Sequence, residues 1–329
     1  PEYLFAISNM YSNAGTFFGF KRGQWERSLE LYETSVLLRE SLAALDPTQH
    51  RFRNALAGGY NNVGLALYQA KKIDEAHEAF QRAAAIREKL IEDYPYIPQY
   101  AKELGDTKTN LGTFSDKQGR TGESVEYNEK SVKHFKRLTD SHPQIAAYPK
   151  HAIDSLVSIA QLEPFTKKGQ DAVETTVELY SRLLQARPES RAYRRLLTLY
   201  SAFLPGVEPK QLLELSDPFS VERDPNSDEL TVRALALYRS GRVQEAADHL
   251  QAIPAKQVDQ RAQLLSVMVL ADQDDERAVN QYAKVKRSIA KKKYPDYEIL
   301  VLAKEADTRL AAMAHRQAIL ESQGSVDDE

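Results

Sequence analysis

Seven histidines, His50, His77, His134, His142, His151, His249 and His315, are the first residues to weigh for proton transfer or metal binding. No two stand four apart around a glutamate, the spacing that sets two imidazoles on one helix face over zinc, so they read as surface histidines. Asp272, Asp274, Asp275 and Glu276 begin like a calcium loop. That reading fails because Arg277 stands where the sharp turn needs glycine and Ala283 where a bidentate glutamate closes the site. Gly58-Gly59 lacks the flanking glycines and lysine of a phosphate-cradling loop, and no His-Arg-Asp or Asp-Phe-Gly is present for phosphoryl transfer. There is no cysteine, which excludes disulfides, thiolate metal sites and a cysteine nucleophile and fits a reducing, cytoplasmic compartment. Lys284, Lys286, Arg287, Lys291, Lys292 and Lys293 form a basic cluster. Contact with RNA or an acidic partner is one reading; cations gathered at a helix C-terminus, where the dipole favours them, is the better one. The chemistry-bearing residue types therefore point to no catalysis, no metal and no cofactor.

One polar set does keep a regular place. Asn13, Asn62 and Asn110 each precede a glycine by two residues (Gly15, Gly64 and Gly112), and Ser158 stands likewise before Ala160. Asparagine is a mediocre helix former, so three such placements within helical patterns imply a role for the carboxamide.

The elements that position them are helices in pairs. Leu56, Tyr60, Val63, Gly64 and Leu67 recur at steps of three and four, and so do Ala76, Phe80, Ala83, Ile86 and Leu90. Asp74 and Glu75 open the second helix, Arg87 and Lys89 lie near its end, and Asp93-Tyr94-Pro95 stops it. The three residues Lys71-Lys72-Ile73 join the halves, too short a link for anything but antiparallel neighbours. The pair repeats at 48 residues: Ser28, Ala76, Ser124 and Ala172 keep that interval, as do Phe52, Tyr100 and Tyr148, and Pro47, Pro95 and Pro143. Gly15 is one residue out of step, and Pro188 arrives three residues early. A period this long with two helices per copy marks a solenoid.

Tyr60, Val63, Gly64, Leu67, Ala76, Phe80 and Ala83 follow the tetratricopeptide-repeat pattern of large, aliphatic, small, large, small, aromatic, small residues. Gly59-Tyr60-Asn61-Asn62-Val63-Gly64, Arg87-Glu88-Lys89-Leu90, Asp93-Tyr94-Pro95, Pro98, Tyr100 and Glu103-Leu104 further resemble a 48-residue variant found in planctomycete-type bacteria C-terminal to serine/threonine kinase domains. The resemblance covers roughly residues 5–200 and weakens where Lys108, Ser115, Asn128, Glu163 and Thr176 replace apolar residues. It implies that first helices line a concave groove in which Asn13, Asn62, Asn110 and Ser158, with Asn61, Tyr68, Asp106 and Thr113 beside them, hold the backbone of an extended peptide. Bonds that brace neighbouring repeats are the alternative role for the same asparagines.

The 329 residues suffice for two compact domains or one array, and repetition favours the array. With 44 basic and 47 acidic residues, net charge −3, the balance calls for no nucleic acid, and no apolar run reaches the 18 or so residues of a membrane span. Pro1-Glu2-Tyr3-Leu4 is no signal peptide and reads as part of something longer. Trp25, beside the first helix–helix turn, is expected to pack over helix ends rather than anchor a ligand.

Four helix pairs are expected over residues 1–200 and a proline-bearing linker over 201–229, with Pro205, Pro209, Pro218, Pro225 and room for a short helix at Lys210 to Ser216. Two further pairs follow over 230–322, built on Ala234, Leu237, Ala246, Leu250 and Ile253, then Ser266, Val269, Ala278, Tyr282 and Val285, with Tyr294-Pro295 as a stop. A capping helix from Tyr297 sets Leu300, Ala303, Ala306 and Leu310 inward and Lys304, Glu305 and Arg309 outward, and an acidic tail fills 323–329. The expected fold is all-α, a right-handed superhelical solenoid of antiparallel pairs with one interruption. The expected function is binding a protein or peptide partner, in this chain alone or as the regulatory end of a serine/threonine kinase; its oligomeric state is left open.

Overall fold

The computed structural model describes residues 1–220, 223–292 and 295–324, and every regular element among them is helical. Lys293 of the basic cluster, Tyr294 of the expected stop and the tail from residue 325 lie outside the described residues. Contacts divide the chain into two compact units, Pro1–Ser155 and Leu156–Glu329. No described helix is long and apolar enough to cross a membrane.

Unit 1 holds α1 (Glu2–Thr16), α2 (Trp25–Leu45), α3 (His50–Gln69), α4 (Ile73–Asp93), α5 (Pro98–Lys117), α6 (Thr121–Ser141) and the start of α7 (Ala147–Leu162). The chain reverses within each pair through one left-handed residue: Gly23, Lys71 and Gly119, with φ of 67°, 62° and 75°, stand 48 apart. Glycine suits this backbone; at Lys71 a lysine adopts it. Inside each pair a side chain of the second helix lies flat on a glycine of the first. A Cβ on Gly64 would stand 2.9 Å from the Phe80 ring, one on Gly15 2.8 Å from Tyr32, and one on Gly112 2.7 Å from the Asn128 amide. Ser28, Ala76 and Ser124, at most 1% exposed, keep the helices that close.

Gly15 and Tyr32 are separated by one residue more than Gly64 and Phe80. A π-helical turn at Phe17–Lys21 absorbs that residue. The first copy is thus out of step along the sequence and in register in space. Trp25 lies across Gly19 and edge-on to Phe20 at 5.1 Å, packed at the helix ends.

Successive pairs are stitched by a recurring arginine. Arg39 Nη1 donates to the Ala55 carbonyl at 2.9 Å and Arg87 Nη1 to the Glu103 carbonyl at 3.3 Å, each reaching from a second helix to the next first helix. Burial lowers the pKa of both guanidiniums, a cost that for Arg87 is countered by the carboxylates of Glu103 and Asp106. In the third copy Phe135 takes this place, stacked on His151 at 4.9 Å and pressed onto Gly105, where a Cβ would come within 2.0 Å of the ring.

Unit 2 contains the rest of α7, then α8 (Lys167–Ala186), α9 (Arg191–Ser201), α10 (Pro209–Ser216), a 3-10 turn (Asp217–Phe219), α11 (Ser227–Arg239), α12 (Val243–Gln251), α13 (Gln260–Asp272), α14 (Arg277–Ile289) and α15 (Tyr297–Gly324). The proline-bearing segment therefore carries a short helix, α10. Side-chain caps start four of these helices: Thr166, Ser190, Asp259, and Asn226 in a reciprocal capping box with Glu229. One apolar cluster runs from Leu199 through α11 and α13 to Met313. From α15 this cluster takes Ile299, Leu302, Ala306 and Met313, and Tyr297 and Glu298 are buried as well. Of the residues expected inward, Ala306 is buried, Ala303 and Leu310 are half-buried against the same cluster and Leu300 is half-buried, while Glu305 pairs with Arg239 (2.7 Å) and Arg309 with Asp272 (3.1 Å). The architecture is an all-α helical solenoid of stacked antiparallel pairs.

Candidate binding surfaces

In unit 1 the first helices lie side by side. Tyr68 of α3 packs on Phe114 of α5 with ring centres 4.4 Å apart, and His50 of α3 hydrogen-bonds the Tyr100 hydroxyl of α5. Asn62 Nδ2 donates to the Ser12 hydroxyl of α1 at 3.3 Å, and Thr109 of α5 meets the Ser155 hydroxyl of α7 at 3.3 Å. A row α1, α3, α5, α7 results, with hydroxyls and carboxamides at its seams.

The expected groove residues occupy this row unequally. Asn13 and Thr113 are exposed, and the Thr113 hydroxyl donates to its own helix at the Thr109 carbonyl, 3.0 Å away. Asn61, Asn62, Tyr68, Asp106 and Asn110 are half-buried. Asn62 is engaged with Ser12, a bracing contact, whereas the Asn110 side chain has no hydrogen bond among the described residues. Asp106 is held by Lys102 at 2.9 Å and faces His151 at 3.6 Å; Tyr68 carries the Lys117 ammonium 4.7 Å above its ring. Ser158 is half-buried on the part of α7 that belongs to unit 2.

Three polar residues that break the repeat pattern, Lys108, Asn128 and Thr176, are buried and bonded internally. Lys108 is 6% exposed and donates to Glu88 at 2.9 Å and to His134 Nε2 at 3.3 Å. Asn128 and Thr176 bond carbonyls of their own helices, Ser124 and Ala172, at 2.9 Å. Asp272, Asp274 and Asp275 are paired with Arg309, Arg316 and Arg277, so the calcium-like stretch spends its carboxylates on arginines. Within the basic cluster Lys286 pairs with Asp307 at 3.2 Å.

A concavity in unit 2 was not legible beforehand. In unit 2 an open cleft of about 730 Å³ forms where the α7–α8 turn, the end of α9 and the start of α15 meet, lined by Phe165, Phe203, Pro205 and Tyr297 with Asp171 and Glu174 at its rim. Phe203 stands edge-on to Tyr297 at 5.9 Å, and Phe165 is 56% exposed beneath the Lys304 ammonium. The one hint in the sequence was Pro205-Gly206, which ends α9 early and opens space beside α15.

Among families of known proteins, a tetratricopeptide-repeat model matches residues 56–93. No curated protein matches the chain in sequence. Of solved structures, a tetratricopeptide repeat protein from Parabacteroides merdae ATCC 43184 aligns at a TM-score of 0.53 with 11% identity, over 92% of this chain and 99% of that one. Looser superpositions, which carry no argument, are those on residues 1–338 of the assembly chaperone of RpL4 (TM-score 0.34, 14% identity, 94% and 99% covered) and on yeast Tom70 (0.33, 10%, 96% and 98%). The chain carries a tetratricopeptide repeat at residues 56–93 and has the fold of a tetratricopeptide-repeat protein.

Proposed function

We propose that this chain is a non-catalytic, cytoplasmic scaffold that holds an extended peptide or protein segment along the first helices of unit 1. The observation that carries this is the contrast between two carboxamides at one repeat position: Asn62 is spent on Ser12, while Asn110, on a half-buried face, has no hydrogen bond among the described residues. A carboxamide in that state offers a peptide backbone both partners it needs. Exposed Asn13 and Thr113 extend the polar track on the same row. The test uses a peptide selected from a random library for binding to the whole chain. Asn110→Ala should weaken that peptide at least tenfold, about 1.4 kcal/mol, without lowering the melting temperature. Equal affinity for variant and parent would remove Asn110 from the site and the reading with it.

A second reading sets the same module at the C-terminal, regulatory end of a serine/threonine kinase. Its support is the 48-residue interval, which Gly23, Lys71 and Gly119 keep at each turn, as in the arrays the sequence resembles. Coding sequence ahead of Pro1 that lacks kinase signatures would dismiss it.

A further inference from the structure

The outer side of α1 and of the π-helical turn that continues it is apolar and open to water: Tyr3 is 79% exposed, Met10 70% and Phe17 46%. They recur every seven residues, hence along one stripe. The same stripe exists in later copies, with the π-helical residue allowed for, and there it is covered. Tyr3 corresponds to Phe52, Tyr100 and Tyr148, which are 2%, 5% and 4% exposed. Met10 corresponds to Gly59, Thr107 and Ser155, all buried, and Phe17 to Ala66 and Phe114, 0% and 6% exposed.

What covers the later stripes is visible each time. Gly59 lies against Val36 and Arg39 of α2. Thr107 receives Arg87 of α4, and Phe114 is stacked on Phe80 of α4 at 4.8 Å while touching Tyr68 of α3. The cover is the preceding helix pair: its second helix at Gly59, Thr107 and Phe114, its first at Phe52, which meets Phe5 of α1 at 5.4 Å, and at Tyr100, which meets His50 of α3.

We infer that the outer face of α1 is the stacking face for a further helix pair of this same repeat, joined ahead of Pro1 as His50–Asp93 is joined ahead of Pro98. The occupant's chemistry follows from the sister interfaces: an aromatic residue in the place of Phe80 meets Phe17, and an arginine in the place of Arg87 reaches the Ala6 carbonyl and passes Met10. An α1-to-α1 contact between two copies would offer neither, because α1 is a first helix, while Phe80 and Arg87, which meet Phe114 and Thr107, stand on a second helix.

The chain supplies its own probe. Met10 is exposed while Met268 and Met313, 0% and 2% exposed, serve as internal controls for oxidation by hydrogen peroxide. A copy of residues 50–97 grafted before Pro1 restores the register, because Pro1 holds the place of Pro98. In that graft Met10 should oxidise at least tenfold more slowly than in the parent chain, and one alanine inserted at the junction should undo the protection. Should circular dichroism show the graft unfolded, a copy of residues 98–145 replaces it, and failure of both to shield Met10 overturns the inference. A parent chain that dimerises in sedimentation and protects Met10 by doing so would also overturn it, assigning the face to a second copy.

Discussion

From α1 to α7 in unit 1 the helices are stitched by polar side chains, within pairs and between them, whereas α11 and α13 of unit 2 meet chiefly through hydrocarbon. Arg39, Arg87, Ser35 and Ser131 all reach from a second helix to a backbone carbonyl of a first helix. By contrast Leu230, Val232, Ala234, Leu235, Ala236, Leu237 and Tyr238 are buried one after another, as are Leu264, Leu265, Val267, Met268 and Val269. A helix buried on every side has no face left for a ligand. The first helices of unit 1 keep one side half in water, and this is why its candidate residues lie there, while unit 2 offers a cleft where α9 ends early.

The comparison is best broken with the residue that should matter most. Leu264 is 0% exposed within the apolar cluster of unit 2, so Leu264→Ala should cost about 2–5 kcal/mol. Urea denaturation followed by circular dichroism measures it. A loss below about 0.5 kcal/mol, the size of a surface change, would mean that α13 is not buried all round.

Next in size is the stitch itself. Arg87→Met keeps the packed stem of the side chain and deletes the bonds to Glu103 and Thr107, so unit 1 should lose about 1–3 kcal/mol. The loss belongs to unit 1, and hydrogen exchange at α4 and α5 amides should report it. If exchange there is unchanged, the arginine is a passenger and packing alone stacks the pairs.

Pairing of helices, the small positions and the break after α9 were legible because they depend on local spacing: Gly64, Ala76 and Pro205-Gly206 each leave a mark on a short window of sequence. The π-helical turn was visible only as Gly15 falling one residue out of step, since nothing in Phe17–Lys21 itself announces a wider coil. Arg39 and Arg87 share a repeat position, yet their role depends on a carbonyl 16 residues away across a helix boundary. The cleft of Phe165, Phe203 and Tyr297 draws on residues more than 130 positions apart. Periodicity within one helix carries no information about such a meeting.

A smaller effect tests the polar packing of unit 1 through pH. Burial and the neighbouring Lys108 ammonium push the His134 imidazole down to about 4, with Arg137 and Lys133 adding to the shift and Glu88 opposing it. The unfolded ring titrates near its ordinary value of about 6.5. Between those values the unfolded chain takes up a proton that the native chain refuses, so this contribution is lost as pH falls from about 6.5 toward 4. Discounted for the ring's half-exposed position, it amounts to roughly 1–2 kcal/mol. His134→Gln should flatten that part of the profile, and the difference in urea midpoint between parent and variant at pH 7 and pH 4.5 isolates it from titrating carboxylates. No difference would place the ring in water rather than against Lys108.

The smallest effect separates the two carboxamides. Asn62→Ala removes a 3.3 Å bond and leaves the Ser12 hydroxyl, 8% exposed, without that donor, at a cost of roughly 0.5–1.5 kcal/mol. Alanine's better helix propensity returns about half a kcal/mol, so the net change should be zero or a modest loss. Asn110→Ala breaks no hydrogen bond among the described residues, and only the propensity gain of about half a kcal/mol remains. The two variants should therefore move the urea midpoint in opposite directions, or leave it still for Asn62 and raise it for Asn110. Equal destabilisation by both would make Asn110 a brace as well, and the peptide track on unit 1 would lose the residue it rests on.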